Sequence, residues 1–114
     1  MKTKDKIDGD VGILWLKGKI MGYPETDDLH NEVKSLLGGG AKKIVIDLQG
    51  VNWMNSMGVG ALMRSLTTVR NAGGELCLSR LTEKVRSIFV MTQLVRVFEI
   101  YESVDKAVEH YKSS

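Results

Sequence analysis

The chain has one cysteine, one proline, two histidines and no long apolar run. Each scarcity excludes something. Cys77 has no partner for an internal disulfide, which points to a reducing, cytoplasmic setting. One cysteine and two distant histidines do not make a zinc site, so neither metal nor cofactor is expected. No run approaches the roughly 18 apolar residues of a membrane span. Nor does Met1-Lys2-Thr3-Lys4-Asp5-Lys6 lead into the apolar stretch of a signal peptide. A net charge of +2, with dispersed lysines and arginines, gives no basis for direct nucleic-acid binding. What is present is ordinary for a soluble globular protein: 114 residues, 43% apolar and 26% charged, enough for a single domain over residues 1–114.

Strand and helix patterns alternate along the chain. Lys4 to Asp8 and Val11 to Lys19 read as two strands around a Gly9-Asp10 hairpin turn. The second alternates, with Ile13, Trp15 and Lys17 on one side and Leu14 and Leu16 on the other. Pro24 opens a helix with Glu25, Asp27 and Asp28 in its first turn, as the helix dipole favours. Its apolar face is Leu29, Val33, Leu36 and Leu37, and Gly38-Gly39-Gly40 ends it. Lys43 to Leu48 is apolar on both faces and reads as a central strand. A loop, Gln49 to Met54, leads to a second helix carrying Val59, Leu62, Met63, Leu66 and Val69, which Gly73-Gly74 closes. A strand (Glu75 to Ser79), a helix (Thr82 to Met91), a short strand (Val97 to Ile100) and a last helix (Ser103 to Tyr111) follow. The order ββαβαβαβα predicts an α/β fold with four helices on a mixed, mostly parallel sheet. An exposed N-terminal edge strand is compatible with a dimer paired between chains.

The segment Asn55-Ser56-Met57-Gly58-Val59-Gly60 sits where the central strand hands over to the second helix. A hydroxyl at a helix N-terminus can cap the helix, attack a substrate or carry a phosphate. Either Asn55 or Ser56 suits the cap. A nucleophile elbow needs glycine two positions before the serine, where this chain has Met54. His30, amid Asp28, Asn31 and Glu32, and His110, beside Glu109, read as solvated surface histidines, so a triad lacks its base. No enzymatic activity is expected. Gly58-Val59-Gly60 lacks the lysine and spacing of a phosphate-binding loop.

The element order, the segment Ile44-Val45-Ile46-Asp47-Leu48 through Asn55-Ser56-Met57-Gly58, and Gly73-Gly74 before the next strand resemble the stand-alone STAS-domain anti-sigma-factor antagonists of bacteria. The resemblance covers nearly the whole chain. It implies that Ser56 is phosphorylated by an anti-sigma factor of the histidine-kinase-like ATPase type and restored by a serine phosphatase. It also implies that the unphosphorylated protein binds that partner through Met54, Asn55, Ser56, Met57, Gly58, Val59 and Arg64. Two positions depart from the family pattern. Asn55 replaces the usual aspartate before the serine, and Lys19-Ile20-Met21-Gly22-Tyr23 lacks the aspartate common after the second strand. Asn55 favours, as the alternative, an unphosphorylated STAS adaptor in a signalling assembly or lipid-transport complex.

Of the remaining residues, Met54 and Met57 read as a contact surface beside the motif, Met63 as core, and Trp53 as a cover for the sheet end. Arg64, Ser65, Thr68 and Asn71 read as the solvated face of the second helix, and Lys84 and Arg86 as surface charge on the third.

Overall fold

The structure, a computed structural model, describes residues 1–113. Five strands form one sheet in the order β1-β2-β3-β4-β5. Strands β1 (Lys2–Asp8) and β2 (Val11–Ile20) are an antiparallel hairpin. Strands β3 (Lys43–Met54), β4 (Glu75–Ser79) and β5 (Ile100–Tyr101) continue parallel to β2. Four helices connect or close them: α1 (Glu25–Gly38), α2 (Ser56–Asn71), α3 (Glu83–Met91) and α4 (Val104–Lys112). The mixed, mostly parallel sheet with four helices is the predicted architecture.

The alternation of β2 separates two cores. Leu14 and Leu16 join Ile44, Ile46 and Leu48 beneath Leu29 and Val33 of α1, Leu62, Leu66 and Val69 of α2, and Val85 and Phe89 of α3. Val11 and Ile13 point the other way and meet Val45, Cys77, and Ala107 and Tyr111 of α4. Burial pushes the Cys77 thiol up to about 12, so it is an inert core side chain.

Two segments differ from the sequence reading. Gln49 to Met54 is strand, not loop: β3 runs on because β2 is long enough to pair with it as far as Ile20↔Met54. Gly50 allows this, since a Cβ there would lie 2.7 Å from the Leu16 carbonyl oxygen. The predicted strand over Val97 to Ile100 shrinks to Ile100–Tyr101. The chain before it turns through a 3-10 helix, Leu94–Arg96, and buries Phe98 against Phe89 with ring centroids 5.9 Å apart. Two glycines end helices in the left-handed region as expected, Gly40 after α1 and Gly73 after α2.

Candidate functional site at the tip of α2

Asn55, not Ser56, is the cap of α2. Its Oδ1 accepts from the backbone N–H groups of Met57 at 3.0 Å and Gly58 at 3.1 Å. Its Nδ2 donates to the Met21 carbonyl at 2.8 Å, and its own N–H reaches the Ile20 carbonyl at 3.4 Å. The amide therefore joins three pieces: the end of β3, the first turn of α2 and the loop after β2. An aspartate could accept from the same two donors but has nothing to give Met21. The asparagine is matched to its surroundings.

Three of the four orphan donors at this helix end are thus claimed, leaving the Ser56 N–H. Ser56 is the first residue of α2, exposed, and its hydroxyl makes no hydrogen bond among the described residues. One backbone N–H is therefore what the helix end has left to offer an anion on Ser56.

The neighbours divide into a buried support and an exposed collar. Met54 is fully buried, which corrects its expected place on a contact surface: β3 carries on in register and turns this side chain into the core. Gly58 is buried as well. A Cβ on it would collide with the Ile20 carbonyl oxygen, so this glycine serves the packing of α2 on β2, not a partner's approach. Gly60 faces open space. Val59 is half-buried against the core. The collar is Met57, 57% exposed, with Met21, Tyr23 and Trp53 at 42%, 81% and 41%. Met57 lies over Gly22, and Met21 is tied to Asn55, so the loop after β2 and the helix tip form one surface. Trp53, expected to cover the sheet end, is 41% exposed near the end of β3, paired with Lys19. Nothing local in the sequence marks Met21 or Tyr23 as the neighbour of a helix over 30 positions on.

Further along α2, Arg64 is exposed and lies 3.8 Å from Asp27 of α1. Two assignments to the solvated face of α2 are corrected. Ser65 is fully buried, and Thr68 shares a 2.9 Å hydrogen bond with Nε2 of His30. His30 is therefore a nearly buried link between α1 and α2, not a surface histidine. Burial, then the charges of Arg64 and Lys34, hold its pKa below the ordinary value. His110 remains half-exposed, 3.9 Å from Glu99. Among the described residues no group of three or more His, Cys, Asp or Glu side chains is placed to hold a metal. No helix among them is long and apolar enough to cross a membrane.

At the carboxyl end of the parallel strands, Asp47 is buried and accepts from Arg80 Nε at 2.8 Å, Arg80 Nη2 at 2.9 Å and Ser79 Oγ at 2.8 Å. Arg80 adopts φ +52, a left-handed conformation held by this bidentate pair and by its N–H to the Tyr101 carbonyl. The pair ties β3 to β4 close to where β3 runs on toward the α2 tip.

A sequence model of the STAS domain matches residues 2–107. BtrV of Bordetella bronchiseptica, assigned as an anti-sigma factor antagonist, is 27% identical over 112 residues, covering 98% of this chain and 95% of BtrV. The crystal structure of a Thermotoga maritima protein assigned the same role superposes with a TM-score of 0.84 at 27% identity, over 95% of this chain and 92% of that one. The anti-sigma factor antagonist SpoIIAA shares the fold at 13% identity. Its unphosphorylated form gives a TM-score of 0.82 over 99% of this chain and 98% of that one, and the phosphorylated form from Bacillus gives 0.74 over 96% and 99%.

Proposed function

The chain belongs to the STAS domain family, and from that premise we propose that it is an anti-sigma-factor antagonist switched by phosphorylation of Ser56. Unphosphorylated, it binds an anti-sigma factor that is also a serine kinase of the histidine-kinase-like ATPase type, and so frees a sigma factor. Phosphorylated, it lets go until a serine phosphatase restores it. The protein is then a substrate and a binding partner, not a catalyst.

One observation carries this reading: an exposed, unbonded Ser56 hydroxyl at the first position of a helix that Asn55 already caps. Phosphorylation adds about −1.5 to −2 charges there at pH 7. With only the Ser56 N–H free, the protein offers that charge little compensation. The partner surface, shaped for a neutral serine and the apolar collar of Met57, Met21, Tyr23 and Trp53, would have to desolvate it. An uncompensated charge at such a contact costs several kcal/mol, which is several orders of magnitude in affinity. Release then needs no refolding.

The test is incubation with the cognate kinase and ATP, read by intact mass. One added phosphate on the wild type and none on Ser56→Ala is the expected result. Equal labelling of the two proteins, or labelling of neither, defeats the phosphorylation reading. The second reading, an unphosphorylated adaptor in a signalling or lipid-transport complex, is favoured by the fit of Asn55. Its amide donates to Met21, so the position is organised without the carboxylate usual in the family. Tight partner binding that survives Ser56→Asp would support the adaptor.

A further inference from the structure

The sheet is covered unevenly. Helices α1, α2 and α3 lie on one face, whereas α4 alone covers the other, packing across β2, β3, β4 and β5. Beside α4, over the β1–β2 hairpin, runs a groove of about 530 Å³. Its floor is Ile13, the half-buried ring of Trp15, and Val104 and Val108 from one flank of α4. Neighbouring strands are about 4.8 Å apart and packed helices 8–10 Å apart. Because α4 already packs on β2, a helix laid beside it at that spacing would lie over β1 and the outer edge of β2.

The charges around the groove are laid out in lines. The antiparallel register places Lys2, Lys4 and Lys6 on this face, opposite Lys17, Trp15 and Ile13. All four lysines are exposed, and none forms an ion pair among the described residues; Lys4 lies 5.7 Å from the Trp15 ring centroid. Alternate residues of a strand repeat at about 6.7 Å, close to the roughly 6 Å rise between helix positions i and i+4. On the opposite wall, Asp105 and Glu109 stand one helical turn apart, and Lys112 closes one end of the groove through its 2.7 Å ion pair with Asp8 of β1.

We propose that this groove docks an amphipathic helix of a partner protein, with apolar residues on the half-buried Trp15, Val104 and Val108 and an acidic edge along the lysines of β1. The site is separate from the Ser56 tip and does not depend on it. An anionic membrane is disfavoured because Asp105 and Glu109 would face the lipid. A second copy is disfavoured because all four helices are already packed, and pairing two β1 edges would bring lysine rows together.

The probe is a synthetic 18-residue helical peptide with a leucine face, glutamates along one edge and lysines along the other, titrated into the ¹⁵N-labelled full chain. Resonances of Lys4, Lys6, Trp15 and Val108 should shift while Ser56 and Met57 stay in place. The double variant Lys4→Glu/Lys6→Glu, on an exposed edge, should keep its spectral dispersion and bind about tenfold more weakly. A peptide with lysine along both edges should bind that variant better than the wild type. The proposal is overturned if the peptide moves nothing, if it moves the Ser56 tip instead, or if exchanging the charges changes nothing. It is equally overturned if phosphatidylglycerol vesicles move these resonances and the peptide does not, or if sedimentation shows self-association through this face.

Discussion

The two faces of the sheet are closed to different degrees, and each degree suits a different kind of recognition. Under α1, α2 and α3 lies a cluster of 22 buried residues; under α4 there are six. The larger core fixes α2 from below, so its first turn can hold one neutral hydroxyl in a set place. In the proposed switch, recognition there depends on the absence of charge and is reversed by adding it. The smaller core leaves Trp15 and Val108 half-covered and a line of lysines without ion pairs among the described residues, so the docking proposed there would use charge already present. Rigidity belongs to the first face and vacancy to the second.

The largest expected effect tests the rigid face. Gly58→Val drives a branched side chain into the Ile20 carbonyl and should cost about 3 kcal/mol, read as a lower urea midpoint. Two residues on, Gly60→Ala meets open space and should stabilise by about 0.5–1 kcal/mol through helix propensity. Equal effects from the two substitutions would mean that α2 is not seated on β2 as described. Next in size is the cap. Asn55→Ala should cost about 1–2 kcal/mol. Asn55→Asp keeps both acceptors but loses the bond to Met21. It should leave α2 intact while amide exchange quickens at Met21 to Tyr23. If that loop stays as protected as in the wild type, the asparagine is not what joins it to the helix tip.

These variants also mark where sequence reasoning reached and where it stopped. The alternation of Ile13, Leu14, Trp15 and Leu16 was enough to assign the two sides of β2, because a strand has a strict period of two. Asn55-Ser56 ahead of an apolar helical period was enough to place the hydroxyl on a helix tip. Pairing over distance was not legible. Gln49-Gly50 looks like a turn until β2 is seen running alongside, and that pairing carries Met54 into the core. His30 sits among polar neighbours in sequence, yet its partner Thr68 is 38 positions away. Val97 and Phe98 have strand-like side chains, but the backbone bonds of both close on Leu94 in a tight turn. The groove beside α4 was invisible for the same reason: its two walls come from opposite ends of the chain.

The smallest effect concerns the same contrast under acid. His30 is held between α1 and α2 with its pKa lowered by burial first, then by Arg64 and Lys34, while Asp27 opposes them. The unfolded chain, whose histidines titrate near 6.5, therefore takes up a proton before the folded one does. Stability should begin to fall as pH drops through about 6.5 and go on falling until the lower folded pKa is passed, the loss being regained as pH rises. Exposed carboxylates such as Asp8, paired with Lys112, are lost only at lower pH and do not involve this interface. His30→Gln, which can still bond Thr68 but does not titrate, should flatten the pH dependence between 7 and 5.5. Over that range, amide exchange should quicken in α1 and α2 and hold steady in α4, because no histidine is buried beneath it. Equal quickening in all three helices would mean that the two faces open together, and that the face carrying Ser56 is not separately sensitive to acid.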